Sequence, residues 1–262
     1  MESQNIKDND DFDDDDNDDD YYDGQENFIN AINKLRMFFL DRKPHIRKYR
    51  KIRDLHGEIV NTMIQYHSNG KFKKQIDTGF ISEQEDEITL NILKCDFNLE
   101  SRLGAQAFYD MLIYKTAANM ACITDDFIRN HRYRKPEKME FLHSMLDSKL
   151  GLFEVTGTDD DEGYAYLRDV FTGAEYAIVD IGLSGNQNHD EIYIYTRIIT
   201  YQDISFGTGL SFIFRKTDRF IKNHIQQHKK DFKPNGEFLR FTQLYNYYSQ
   251  DPGKIKVVTN EL

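Results

Sequence analysis

The sequence predicts an α+β protein with an N-terminal all-helical domain, a five-stranded antiparallel small barrel and C-terminal helices. Two changes of pattern predict this order. Apolar residues recur at helical spacing up to about residue 150, and then alternate with polar residues between 151 and 215. A period of two is typical of strands that bury one face, and helical spacing returns from residue 216.

An acidic tail precedes the helical domain. Residues 1–26 contain 13 acidic residues and one Lys, a local net charge of −12, whereas the remaining 236 residues carry a net charge of +1. Like charges at this density repel one another and bury no apolar surface. We therefore expect residues 1–26 to be disordered.

Residues 27–150 are predicted to form the helical domain. Pro44 suits the first turn of a long helix that runs to about His67. An amphipathic helix begins at Ser101, Thr124 is predicted to cap another, and Pro136 opens a third. The other helical stretches are a short apolar segment over 87–95 and an initial helix with Phe28, Ile32, Leu35, Phe38 and Phe39 at helical spacing.

Residues 151–215 are predicted to form the barrel. Short segments rich in Ile, Tyr and Phe are separated by Gly, Asp and Asn, which favour turns. The acidic loop 159–163, Thr172-Gly173 and Gly207-Thr208-Gly209 are all predicted to be turns. Residues 216–262 are predicted to be the C-terminal helical segment. The predicted strands are 151–156, 164–170, 175–181, 192–199 and 210–215.

One segment of the predicted barrel resembles known sequences. Residues 167–180 are LRDVFTGAEYAIVD, and their Leu-Arg-Asp, Thr-Gly and Tyr positions are similar to a segment of uncharacterised bacterial proteins. In those proteins the segment forms a strand, a turn and a second strand after a helical region. The resemblance covers residues 151–215 and implies the small barrel. It implies no catalytic residues, because the family carries no assigned activity.

Several classes of protein are disfavoured by the composition. No apolar run approaches the roughly 18 to 20 residues that span a membrane, and the N-terminus lacks the apolar region of a secretion signal. Cys95 and Cys122 cannot form a disulfide framework and are expected to be reduced thiols of a cytoplasmic protein. No nucleophile elbow, Walker loop or dinucleotide fingerprint is present, so we predict no cofactor and do not expect an enzyme.

A run of basic residues lies at the start of the long helix. Seven Lys or Arg side chains surround most of its circumference before the first acidic residue, Asp54. The run is interpreted as a solvated face with ion pairs to the rest of the fold, as a surface that binds phosphates, or as the docking site of the acidic tail. The predicted polyanion-binding residues are Arg42, Lys43, Arg47, Lys48, Arg50, Lys51 and Arg53.

Two predicted strands share a Tyr-Tyr-Arg pattern. Residues i, i+2 and i+4 of a strand lie on one face, so each strand presents two tyrosines and an arginine on the same side. Such a face suits base stacking with a phosphate contact, although the tyrosines are equally suited to packing against the helices. The candidate residues are Tyr164, Tyr166 and Arg168 on one strand, and Tyr193, Tyr195 and Arg197 on the other. The predicted barrel core consists of Ile192, Ile194, Ile198, Leu210, Phe212 and Phe214.

One histidine pair has a spacing that metal sites use. His224 and His228 are four residues apart on a predicted helix and so share a face. The Glu of an HExxH motif is missing, and no paired Cys lies nearby in sequence. We therefore predict no metal site.

Taken together, these patterns favour a non-enzymatic cytoplasmic regulatory or adaptor protein that acts through protein or polyanion contacts, with an autoinhibitory role for the tail. One alternative is a nucleic-acid-binding protein that uses the basic helix and the Tyr-Tyr-Arg faces. Another is an enzyme with a site between the helical domain and the barrel. The enzyme alternative predicts a pocket in which titratable groups converge.

Overall fold

A computed structural model describes residues 30–68, 101–114, 122–131, 133–186, 188–230 and 236–250. The predictions for the tail and for the segment 87–95 lie outside these residues. Backbone contacts divide the chain into two compact units, residues 1–42 and residues 43–262. Helix α1, residues 30–40, belongs to the first unit, and every other described element belongs to the second.

The helices of the second unit begin where local signals place them. Pro44 is the first residue of α2, and Pro136 is the first residue of α5, which confirms both predicted starts. Ser101 caps α3 by accepting a hydrogen bond from the Gly104 amide at 3.0 Å. The helices are α2 (Pro44–Ser68), α3 (Arg102–Ile113), α4 (Ile123–Asn130), α5 (Pro136–Leu146), α6 (Ile181–Ser184), α7 (Arg219–Lys230) and α8 (Glu237–Gln250).

The predicted cap at Thr124 is wrong. Helix α4 begins at Ile123, two residues earlier than a Thr124 cap implies, and Cys122 caps it by accepting a hydrogen bond from the Asp125 amide at 3.4 Å. The Thr124 hydroxyl instead donates to the Ile113 carbonyl at 2.7 Å. Because Ile113 is the last residue of α3, Thr124 joins two helices and is not available as a cap.

Five antiparallel strands form one sheet in the order β3-β2-β1-β4-β5. The β1–β2 and β2–β3 connections are turns in which Gly163 and Gly173 have positive φ, as the sequence predicts. Strand β3 is only five residues long and leads directly into α6 through its Asp180 cap. The strands are β1 (Lys149–Asp159), β2 (Tyr164–Asp169), β3 (Glu175–Val179), β4 (Ile192–Tyr201) and β5 (Ile204–Arg215).

The sheet is open, so the predicted small barrel is not confirmed. Strands β3 and β5 approach each other, but within the described residues no hydrogen-bonded ladder joins them. Closure requires such a ladder between the first and last strands. The separate helical domain over 27–150 is also not confirmed, because α2 and α3 belong to the same compact unit as the sheet and contact β5. The fold class α+β stands.

Strand β5 is twice as long as predicted. It begins at Ile204 and includes Gly207-Thr208-Gly209, which the sequence predicts as a turn. Gly209 has φ +100°, a conformation that favours glycine, and the ladder to β4 shifts register between Thr196 and Ile198. The glycines therefore mark an irregularity within a strand.

The two faces of the sheet have different partners. Ile194 lies opposite Ile213 and Tyr195 lies opposite Phe212, so the Phe212 row shares a face with Tyr195. Phe212 packs on α8, with its ring 6.0 Å from the ring of Tyr245. Leu210, Phe212 and Phe214 are therefore buried, as predicted, but on the opposite face of the sheet from Ile192, Ile194 and Ile198. The buried cluster on the other face consists of Phe153, Val155, Ala165, Leu167, Ile178, Leu183, Ile192, Ile194, Ile198 and Ile213.

Candidate functional site

A cavity of about 350 Å³ lies between α2, α3 and β5. This volume is at the lower end of the range for small-molecule pockets, about 300 to 1,000 Å³. Most of the wall is apolar. It is lined by His56, Val60 and Ile64 of α2, by Arg102, Ala105, Gln106, Tyr109, Asp110 and Ile113 of α3, by Tyr114, and by Thr208, Gly209 and Leu210 of β5.

A buried ion pair lies at the edge of the cavity. Arg197 Nε donates to both carboxylate oxygens of Asp110, at 2.9 and 3.2 Å, and the two side chains are 1% and 4% exposed. The Thr208 hydroxyl donates to Asp110 Oδ1 at 3.2 Å, and Arg197 Nη1 donates to Ser148 Oγ at 3.3 Å. The pair joins α3 to the middle of the sheet, because Arg197 lies on β4.

Burial and the neighbouring donors act on Asp110 in opposite directions. Removal from water raises the pKa of Asp110, whereas the charge and hydrogen bonds of Arg197 and the Thr208 hydroxyl lower it. The net direction is upward. The guanidinium opposite the carboxylate compensates its charge where the side chain is almost fully removed from water.

A second polar pair lines the cavity. Tyr114 Oη and His56 Nε2 are 2.5 Å apart. Burial, reinforced by the charge of Arg53, lowers the pKa of His56 to about 4. Burial, reinforced by the charge of Asp110, raises the pKa of Tyr114. Both groups are therefore neutral near pH 7, and we assign the phenol as donor and the imidazole nitrogen as acceptor.

The two polar pairs form one network. The Arg197 guanidinium carbon lies 4.8 Å from the centre of the Tyr114 ring, a cation–π distance. Each buried group of the network thus has a partner within it. The network is therefore a preorganised polar wall of the cavity, with the neutral imidazole of His56 at one end.

The exposed part of the cavity lining, its mouth, consists of residues of α3 and of Gly209 on β5. Arg102, Gln106 and Tyr109 follow one another at helical spacing, and Tyr109 is 44% exposed. Arg102 is exposed and Gln106 is half-buried. Among the described residues, neither of these two side chains has a hydrogen-bond or ion-pair partner. The mouth therefore offers unused donors, in contrast to the network beneath it.

The predicted basic run is divided by the fold. Lys43 pairs with Glu162 and Lys48 pairs with Asp203, both in hairpin turns of the sheet. Arg53 donates to the Gly207 carbonyl at 2.8 Å. Arg42, in the first unit, lies with its guanidinium carbon 4.0 Å from the centre of the Phe38 ring. The members exposed along one side of α2 are Arg47, Arg50 and Lys51.

On β2 the predicted Tyr-Tyr-Arg face remains on the surface. Tyr164 stacks on His45 with ring centres 5.1 Å apart, and Tyr166 is 42% exposed. Arg168 pairs with Glu154 at 2.5 Å. The ion pair and hydrogen bonds of Lys216 and Arg168 lower the pKa of Glu154.

On β4 the same pattern is covered by helices. Tyr195 and Arg197 are each 1% exposed, and Tyr195 stacks on Phe212 with ring centres 5.8 Å apart. Burial raises the pKa of Tyr195. Only Tyr193 is partly accessible, beside Lys216. The Tyr195 and Arg197 side chains are therefore covered in this structure, whereas the β2 residues of the same predicted site are accessible.

The histidine pair is buried between α7 and α8. The rings of His224 and His228 are 4.4 Å apart, and His228 Nε2 contacts Gln243 Oε1 at 2.9 Å. Burial lowers the pKa of His224 to about 4. In the parts of the chain that the structure describes, no three His, Cys, Asp or Glu side chains are placed to hold a metal ion. The helices described there include none with the length and apolar character needed to cross a bilayer.

Sequence reasoning missed the polar residues of the cavity: His56, Asp110, Tyr114 and Thr208 in its buried wall, and Arg102, Gln106 and Tyr109 at its mouth. One of them leaves a signal. Asp110 stands on the apolar stripe of α3, between Ala107 and Met111, where an acidic residue needs a buried partner. The sequence does not identify that partner as Arg197, because the two residues are 87 positions apart.

Comparison with known proteins gives a family and no function. No curated protein and no solved structure matches the chain significantly. The model of a family of unknown function, DUF7986, matches residues 43–257, which include the whole sheet and the cavity. The chain therefore belongs to this family of unknown function.

Proposed function

We propose that the protein is a regulatory protein that binds a small molecule in the cavity between α2, α3 and β5. The observation that carries the proposal is an apolar cavity of about 350 Å³ with a buried polar network in one wall. Ligand pockets commonly combine an apolar lining with a few fixed polar groups. The network fixes the relative positions of α2, α3 and the sheet, and so keeps the cavity open.

The network favours binding over catalysis. His56 uses Nε2 to accept from Tyr114, and the oxygens of Asp110 accept from Arg197 and Thr208. Groups engaged in this way hold the wall in place, whereas a general base needs to reach a proton of the substrate. This agrees with the regulatory class that the sequence favours over an enzyme.

A variant that fills the cavity tests the proposal. Ala105→Phe places a ring in the lining of the cavity, whereas Ala177→Phe adds the same ring to the exposed surface of β3. We expect octan-1-ol, as a small amphipathic probe, to bind the wild type and Ala177→Phe equally in calorimetry. Ala105→Phe should weaken binding at least tenfold while keeping the wild-type circular dichroism.

Equal binding by all three proteins would show that the probe does not occupy the cavity. If Ala105→Phe fails to fold, Val60→Phe fills the opposite wall from α2 and replaces it. Absence of binding to the wild type would also contradict the proposal.

A second candidate function is binding of nucleic acid or another polyanion. The supporting observation is the exposure of Arg47, Arg50 and Lys51 on one side of α2. Replacing all three by Gln should reduce affinity for labelled oligonucleotides and lower the salt dependence by up to about 0.9 per lost phosphate contact. Replacing the exposed Arg219, Lys222 and Lys229 of α7 by Gln removes the same charge and is the matched control. Equal losses in both triple variants would contradict a specific surface on α2.

A further inference from the structure

The polar groups of the cavity fall into two sets. Those in the buried wall, such as Asp110 and His56, already have partners. Those at the mouth, Arg102 and Gln106, have none among the described residues. A ligand gains more from donors that lack a partner than from groups whose bonds it would have to replace. We therefore expect the donors at the mouth to determine which polar group of a ligand is bound.

We infer that the ligand is a small amphipathic monoanion whose carboxylate binds at Arg102 and Gln106 and whose apolar body lies between Val60, Ile64 and Leu210. The inference rests on the proposed function and adds the chemical class of the ligand to it. A guanidinium offers a carboxylate two parallel N–H donors, and the side-chain amide of Gln106 adds a third.

The charge balance of the cavity agrees with an anion. Asp110 is the acidic residue of the lining, and Arg197 compensates its charge at 2.9 Å. The carboxylate therefore neither repels an anion at the mouth nor requires a cationic ligand. Arg102 is the charged lining residue for which the described part of the chain supplies no ion pair, and it is one helical turn from Gln106 on the same face of α3.

The apolar lining limits the body of the ligand. Val60 and Ile64 lie one turn apart on α2 and face the cavity opposite Leu210 of β5. A short acyl chain or a single aromatic ring suits a cavity at the lower end of the usual size range. A second carboxylate in the body would be desolvated against these side chains without a partner.

Three probes with the same eight-carbon chain test the class. Octanoate, octan-1-ol and octylammonium differ only in the charge and shape of the head group. By calorimetry at pH 7 we expect octanoate to bind the full-length wild type about 3- to 30-fold more tightly than octan-1-ol, and octylammonium more weakly than either. Arg102→Met should remove the preference for octanoate and leave octan-1-ol within about twofold of wild type. Arg219→Met, an exposed arginine outside the cavity, should keep the preference.

The outcomes separate the class of ligand from the cavity function. Octan-1-ol that binds as tightly as octanoate, with no effect of Arg102→Met, would overturn the anionic class and leave the cavity function standing. Tighter binding of octylammonium would overturn the class in the same way. If none of the probes binds, or if Ala105→Phe changes nothing, the cavity function falls and the inference falls with it.

Discussion

Strands β2 and β4 contain the same Tyr-Tyr-Arg pattern and place it in opposite environments. On β2, Tyr166 is 42% exposed and Arg168 forms a surface ion pair with Glu154. On β4, Tyr195 and Arg197 are each 1% exposed. The difference comes from the helices: α3 supplies the partner of Arg197, and α8 packs on the Tyr195 side of β4 and β5. A strand pattern fixes which residues share a face, and the neighbouring elements decide whether that face is surface or core.

The largest difference between the two strands is expected at their arginines. Arg197→Met leaves Asp110 buried without its partner and should lower the free energy of unfolding by about 3 to 5 kcal/mol. Arg168→Met removes a solvent-screened surface ion pair and should cost much less than Arg197→Met. Urea denaturation of both variants measures the difference.

If Arg197→Met does not fold, the double variant Asp110→Leu with Arg197→Met is measured in its place. It removes both charges, and we expect it to recover most of the stability because a buried pair is often replaceable by apolar side chains. Similar costs for the two single variants would contradict the assignment of β4 to the core.

Acid should also lower the stability that the buried polar network of His56, Tyr114, Asp110 and Arg197 gives the fold. The pKa of His56 falls from 6.5 to about 4 on folding, so the folded protein favours the neutral imidazole. Its contribution, about 3 kcal/mol, is fully present above pH 6.5 and is lost as the pH falls toward 4. The difference in unfolding free energy between wild type and His56→Gln should therefore shrink by about that amount between pH 7 and pH 4.

The exposed Asn246 of α8, which does not titrate, provides the control for this series. The difference between wild type and Asn246→Gln should stay constant over the same range of pH. A constant difference for His56→Gln as well would show that its imidazole is not buried in the folded protein.

The smallest effects are expected at two threonines, one beside the buried network and one on the exposed surface of the sheet. The Thr208 hydroxyl donates to the buried Asp110 carboxylate, so Thr208→Val should cost about 1 to 2 kcal/mol. The Thr156 hydroxyl donates to the Tyr166 carbonyl on the exposed side of β1, where water replaces it, and Thr156→Val should cost less than about 0.5 kcal/mol. Thermal denaturation resolves the order, and a larger loss for Thr156→Val would reverse the two environments.

Local features of the fold could be predicted from the sequence because they depend on neighbouring residues. Pro44, Ser101 and Pro136 mark the helix starts through their own backbone and side-chain chemistry. The positive φ of Gly173 lies in the turn that its sequence predicts. Gly207 and Gly209 led to the wrong prediction of a turn, because an irregular strand and a turn both favour glycine.

The cavity could not be predicted because its parts meet only through tertiary contacts. Asp110 and Arg197 are far apart in sequence, as are His56 and Tyr114. Closure of the sheet likewise depends on whether β3 and β5 pair, which no local pattern encodes. The position of Asp110 on the apolar stripe of α3 was the sign in the sequence that a buried partner for its carboxylate existed.

The most direct measurement is methyl NMR of the full-length protein with labelled Ile, Leu and Val during titration with octan-1-ol. We predict that the methyl signals of Val60, Ile64, Ile113 and Leu210 shift and saturate together, while those of Ile178 and Ile194 on the other face stay unchanged. Saturation without movement of the cavity methyls, or shifts confined to Ile178 and Ile194, would contradict the assignment of function to the cavity.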